Sequence, residues 1–93
     1  MYAVFVEVDA NESHLEEARK RLPEVAVPDA REKGARAGYW LAPVEGRGVS
    51  VVVFDDEHQA RSVAAELEVG GPAGPVPGVT FRTVEVREVL AHL

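Results

Sequence analysis

Three stretches of this chain are rich in valine, and hydrophobic residues recur at every second position in residues 2–8. A period of two residues is typical of β-strands that turn one face towards a core. The pattern predicts strands over residues 2–8, 49–54 and 79–90. A further strand is predicted over residues 37–42, because the glycine-bearing segment PVEGRG that follows it is typical of a hairpin turn.

A helical period replaces the alternation after the first strand. The apolar positions at i, i+3 and i+7 are Leu15, Ala18 and Leu22. Ser13 followed by Glu16 predicts a capping box at the start of this helix, and Asn11 is an alternative cap. Pro23 is expected to end the helix, because it has no N–H and its ring clashes with the preceding turn. A short helix is predicted over residues 28–33.

The second main helix follows the third strand. Its apolar stripe consists of Ala60, Val63, Ala64 and Leu67. Asp55 or Asp56 is expected to cap it, and Gln59 stands three residues after Asp56, as in a capping box. Gly70 is expected to end it. The resulting order is β-α-β-β-α-β.

This order of elements predicts an α+β, ferredoxin-like fold. Right-handed crossovers place both helices on one face of a four-stranded antiparallel sheet. Ninety-three residues suffice for one such domain, so residues 1–93 are expected to form a single domain.

The two central strands are apolar on both of their faces. The first strand has Val4, Val6 and Val8 on one face and Ala3 and Phe5 on the other; the third has Val49, Val51 and Val53 on one face and Val52 and Phe54 on the other. We expect Phe5, Val52 and Phe54 to lie on the face without helices, where water would contact them in a monomer. A homodimer that packs two such faces together would cover them.

Tyr39 and Trp40 are neighbours on the second strand. Adjacent strand residues point to opposite faces, so one ring is expected on the helix side and the other on the dimer side. Packing is one role for these rings. The other is to line a pocket and stack on a flat substrate, which makes both candidate substrate-binding residues.

Charge and composition restrict the classes of function. The net charge is −6, so nucleic-acid binding is not expected. The chain has no cysteine, which excludes disulfides and thiol catalysis. The first ten residues have no basic segment and are predicted to be a strand rather than a signal peptide, and no apolar run is long enough to cross a bilayer. A cytoplasmic protein without membrane contact is expected.

The segment GYW…GRGVSVVVFDDEHQARSVAAEL, residues 38–67, resembles small antibiotic-biosynthesis-monooxygenase-like proteins of the dimeric α+β barrel superfamily. The last ten residues, VEVREVLAHL, are similar to the final strand of that group. The resemblance implies a substrate pocket between sheet and helices. An asparagine on the first strand and a tryptophan in the sheet are typical of the group's oxygenases. Here the only asparagine is Asn11, before the first helix, and the polar residue of the first strand is Glu7.

Few residues are candidates for catalysis. Glu7 could act as a base if burial raised its pKa, or it could pair with Arg87 at the rim of the dimer interface. The histidines are His14, His58 and His92, and their spacing has no metal-binding signature. His58 is the best placed of them to be a base or an axial haem ligand. No metal site and no cofactor are expected.

Three hypotheses for function follow. The first is a protein that binds a small apolar or aromatic molecule and acts as a cofactor-independent, monooxygenase-like enzyme. The second is a non-catalytic dimeric module that senses a metabolite or interacts with another protein. The third is haem binding through a histidine. An open cavity of a few hundred Å³ would favour the first hypothesis over the second. The glycine-rich segment 70–78 is either a lid over such a cavity or a plain connection between elements.

Overall fold

Four strands form one antiparallel sheet in the computed structural model, which describes residues 1–93. The strands are β1 (Tyr2–Asp9), β2 (Ala37–Val44), β3 (Arg47–Phe54) and β4 (Thr80–Glu88). Their order in the sheet is β2-β3-β1-β4, and all neighbours are antiparallel. The predicted α+β, ferredoxin-like fold is confirmed.

The β2–β3 hairpin closes through a two-residue turn. Val44 pairs with Arg47, so only Glu45 and Gly46 lie between the strands. Their φ angles are 53° and 79°. Positive φ at both turn residues is the mark of a type I′ turn, whose twist matches that of the strands. Both strands are therefore longer at the turn than predicted: β2 ends at Val44 rather than at residue 42, and β3 begins at Arg47 rather than at residue 49.

Helical structure continues from residue 12 to residue 32, a segment called the helical run below. It comprises a 3₁₀ turn (Glu12–His14), α1 (Leu15–Arg21), a π-helical turn (Leu22–Ala26) and α2 (Val27–Glu32). The prediction that Pro23 ends the helix is wrong. Because Pro23 cannot donate to the carbonyl one turn back, the chain widens there into the π turn and continues. Val27 N–H then donates to the Leu22 carbonyl, five residues back.

Asn11, the alternative cap, begins the helical run. Its side-chain oxygen accepts the Ser13 N–H at 2.9 Å. The predicted capping box of Ser13 and Glu16 is wrong, because the 3₁₀ turn starts the run two residues earlier and encloses Ser13. At the other end, Gly34 has φ of 94° and follows the last turn of α2.

Helix α3 (Glu57–Ala65) covers part of the sheet. The Asp56 carboxylate accepts the Gln59 N–H at 2.8 Å, as the sequence predicted. Ala60 is completely buried, which lets the helix approach β1, β3 and β4 closely. None of the helices has the length and apolar composition of a bilayer-crossing segment.

The core lies between α3 and the sheet. Val4, Val6, Phe54 and Ala60 form its buried centre, and Val52 packs against them. The prediction that Val52 and Phe54 lie on the face without helices is wrong. Val52 pairs with Val4 across the sheet, which places both on the helix side, and Phe54 is only 1% exposed.

The face of the sheet without helices, called the open face below, is nevertheless apolar. It carries Ala3, Phe5, Ala37, Tyr39, Leu41, Val49, Val51 and Val53, with Glu7, Thr83, Glu85 and Arg87 beside them. Phe5 lies there as predicted, and the Arg87 guanidinium is 5.0 Å from the centre of its ring. Tyr39 is 67% exposed. Both faces of the central strands are thus apolar, but valines of β3 replace Val52 and Phe54 on the open face.

Candidate ligand-binding cavity

A cavity of about 450 Å³ lies between the helix side of the sheet and the helical run. Hydrophobic residues make up 20 of the 28 that line it. The sheet contributes valines, and the helical run contributes small residues such as Ala18, Ala26 and Ala30. Small side chains on the inner side of the run leave space that larger ones would fill. Unlike α3, neither α1 nor α2 has a strand among its main packing partners.

Trp40 forms part of the cavity wall. It pairs with Ser50 on β3, on the helix side of the sheet. Its six-membered ring lies over Gly38, where an added Cβ would come within 3.1 Å of two ring carbons. Gly38 therefore makes room for the indole along β2. Tyr39 points to the open face, so the predicted separation of the two rings onto opposite faces is confirmed.

Four side chains that line the cavity carry charged or hydrogen-bonding groups besides the indole. They are His14, Asp29, Lys33 and Ser50. Lys33 Nζ lies 3.1 Å from an Asp29 carboxylate oxygen and 2.9 Å from one of Glu66, at the end of α3. The hydrogen bond from Lys33 to Glu66 raises the pKa of the lysine. Asp29 and Lys33 thus pair with each other, and Lys33 also pairs with Glu66 at the end of α3.

His14 is the histidine that contacts the cavity. Its Nδ1 accepts the backbone N–H of Asn11 at 3.1 Å, which completes a capping box. A neutral ring that accepts through Nδ1 carries its proton on Nε2. Nε2 faces Gly78, where an added Cβ would lie 3.2 Å away. Sequence analysis named this residue among the histidines but ranked His58 above it, although a histidine three residues after a helix-capping asparagine was an available signal.

The glycine-rich segment 70–78 forms a wall of the cavity. Ala73, Gly74, Pro75 and Val76 line the cavity. Val76 is 6% exposed, and Ala73 N–H donates to the carbonyl of Val79 at 2.8 Å. The Gly70 N–H donates to the Phe81 carbonyl at 2.7 Å. These bonds tie the first half of the segment to β4 and to the residue just before it.

The four predicted site residues do not come together. Trp40 lines the cavity, whereas Tyr39 lies on the open face. Glu7 is also on the open face, where an oxygen of its carboxylate is 3.3 Å from Arg47. His58 is exposed in the first turn of α3 and does not line the cavity. The proposed roles of these residues stay predictions. No group of three or more His, Asp and Glu side chains is arranged to hold a metal ion.

Two solved structures have this fold over the full length of the chain. One is the heme-degrader MhuD from Mycobacterium tuberculosis with two hemes bound in its active site; it is 20% identical, with a TM-score of 0.65, and the match covers 100% of this chain and 99% of that one. The other is an arginine-to-serine mutant of MhuD with two manganese protoporphyrin IX molecules bound per active site, at 20% identity and a TM-score of 0.64, covering 100% and 98%.

These similarities support the α+β, ferredoxin-like fold of the chain. No protein-family model matches the chain, and no curated protein is significantly similar to it.

Proposed function

We propose that this protein binds a small, flat, apolar or aromatic molecule in the cavity between sheet and helical run. The observation that carries the proposal is the cavity itself, which at about 450 Å³ lies within the range of small-molecule sites. Trp40 offers a ring on which such a molecule can stack. A protein whose interior served only packing would close this space, because protein interiors are normally filled to crystal-like density.

Fluorescence provides a direct test, because Trp40 is the only tryptophan in the chain. A flat aromatic compound that enters the cavity is expected to change the Trp40 emission and to raise the melting temperature. In the cavity-filling variant Ala30→Phe, both responses are expected to be lost. The matched variant Tyr39→Ser, on the open face, is expected to keep them. No response to any flat aromatic compound in the wild-type protein would overturn the proposal.

The protein is further proposed to be a homodimer that buries its open face against a second copy. Phe5, Val51 and Tyr39 lie together in register there, on three adjacent strands. Burying one such apolar side chain contributes roughly 1.5–3 kcal/mol. Two sheets packed face to face, about 10 Å apart, would cover both patches at once. A two-fold axis is the commonest symmetry for such a pair.

Oxygenation of the bound molecule, without a cofactor, is the second candidate function. What favours it is the fold shared with a heme-degrader. Incubation with a bound aromatic compound that carries an oxidisable ring CH2 group would then consume one O2 per molecule. One oxygen atom would replace the two hydrogens as a carbonyl, and the other would leave as water with those two hydrogens, so the substrate itself would supply the electrons. Binding without oxygen consumption would instead support a non-catalytic metabolite-sensing module.

The residues that line the cavity do not fit a haem held by a histidine. His14 is the only imidazole there, and its Nδ1 lone pair accepts the Asn11 N–H. Its Nε2 then carries a proton and has no lone pair for iron. His58, the predicted ligand, lies outside the cavity. A Soret band on haemin titration that disappears in His14→Ala would overturn this assignment.

A further inference from the structure

Ser50 interrupts an otherwise apolar strand end, Val49–Ser50–Val51–Val52–Val53–Phe54. The register of the sheet places it opposite Val6 on β1 and opposite Trp40 on β2. All three residues line the cavity. Besides the indole N–H of Trp40, the serine hydroxyl is therefore the one polar side-chain group that the sheet presents to the cavity.

This hydroxyl forms no hydrogen bond with another part of the chain. Every fully buried side-chain oxygen or nitrogen has a hydrogen-bond partner, so the Ser50 hydroxyl, which has none, is not fully buried. A hydroxyl among apolar side chains is costly unless something bonds to it. Its remaining partner is whatever occupies the cavity, water or ligand.

The other polar groups of the cavity differ in the ion pairs and hydrogen bonds that they already form. Lys33 pairs with both Asp29 and Glu66. His14 accepts through Nδ1, which leaves an Nε2–H as its only group free to bond. Ser50 can both donate and accept. Lys33, the one cationic side chain that lines the cavity, is therefore not free to pair with an anionic ligand.

We propose that Ser50 determines specificity by bonding to an oxygen on the edge of the ligand. This inference rests on the proposed binding function and narrows it. The ligand class is a flat aromatic molecule that carries a hydroxyl or carbonyl oxygen, with its ring against Trp40 and its oxygen at Ser50. The adjacency of Ser50 and Trp40 in the β2–β3 register allows one ligand to contact both.

The test compares two probes of nearly the same shape, 2-naphthol and 2-methylnaphthalene. Their dissociation constants are measured by calorimetry for the wild-type protein and for Ser50→Thr and Ser50→Val. These two variants have side chains of similar shape and differ in the hydroxyl. Ser62→Ala, which removes an exposed hydroxyl on α3, is the control outside the cavity.

Wild-type protein, S62A and S50T are expected to bind 2-naphthol about 3- to 10-fold more tightly than 2-methylnaphthalene, as one net hydrogen bond allows. S50V is expected to lose that preference through weaker binding of the naphthol. An equal preference in S50V and S50T, or no preference in the wild-type protein, would overturn the role of Ser50 while leaving the binding function intact. If neither probe binds to wild-type protein, this inference fails; the proposed function fails as well if no other flat aromatic compound binds.

Discussion

Replacing Phe54 by alanine tests where the core lies. Phe54 is 1% exposed and packs in one cluster with Val4, Val6 and Ala60. Removing a fully buried phenylalanine ring typically costs about 3–5 kcal/mol, the lost transfer energy plus the cavity left behind. A small domain has a total stability of roughly 5–15 kcal/mol, so Phe54→Ala is expected to consume a large part of it. At about 4–8 °C per kcal/mol for a domain of this size, the melting temperature should fall by at least ~12 °C.

Phe5→Ala is the matched control on the opposite face of the sheet. Phe5 is partly exposed in the single chain, and the proposed second copy covers it. Its loss should therefore weaken association more than folding. The assay is thermal unfolding followed by circular dichroism at two protein concentrations that differ 50-fold. The melting temperature of a dimer depends on concentration, because association stabilises the folded state by mass action.

Phe54→Ala should melt far below the wild-type protein at both concentrations and keep the concentration dependence. Phe5→Ala should lose most of that dependence and resemble wild-type protein most closely at low concentration. Equal losses in both variants at both concentrations would refute the assignment of the two rings to opposite faces. A wild-type melting temperature that does not change with concentration would refute the dimer.

Two further predictions concern the hairpin turn and the contact between α2 and α3. Gly46→Ala places a side chain at φ of 79° and should lower the free energy of unfolding by roughly 1–2 kcal/mol. Glu45→Asn, which favours the type I′ turn, should raise the melting temperature. A wild-type melting temperature for Gly46→Ala would contradict the type I′ turn. Lys33→Met removes the ion pairs to Asp29 and Glu66, which are partly exposed and should contribute at most about 1 kcal/mol. The pKa of Lys33 is raised above 10.5, so the contribution of the ion pairs is complete below pH 10.5 and is lost as the pH rises through the pKa of the folded state. Urea unfolding measures the stability difference between wild-type protein and Lys33→Met. A difference that stays the same at higher pH would contradict the role of the ion pairs.

Local signals in the sequence were sufficient for the elements and their order. Valine alternation identified β1 and β3, and Asp56 with Gln59 identified the start of α3. These features depend on residues a few positions apart, so a single sequence carries them. The ferredoxin-like topology followed from the order of the elements alone.

Features that depend on distant residues were harder to predict. The face on which Phe54 lies depends on the register between β1 and β3, and a shift of one residue would exchange the faces. The π turn at Pro23 depends on the helical structure that continues on both sides of it. The polar lining of the cavity combines His14 from the helical run with Ser50 from β3, 36 positions apart in the sequence. Trp40 alone was recognised as a candidate for the site that it occupies.

The most direct test of the binding cavity is native mass spectrometry of the protein purified from its own host, beside its denatured mass. The wild-type protein is expected to be detected as a dimer with added mass that disappears on denaturation. Ala30→Phe, which fills the cavity, is expected to fly as a dimer without that mass. A bare protein for wild type and variant alike, still bare after incubation with flat aromatic compounds, would contradict the account.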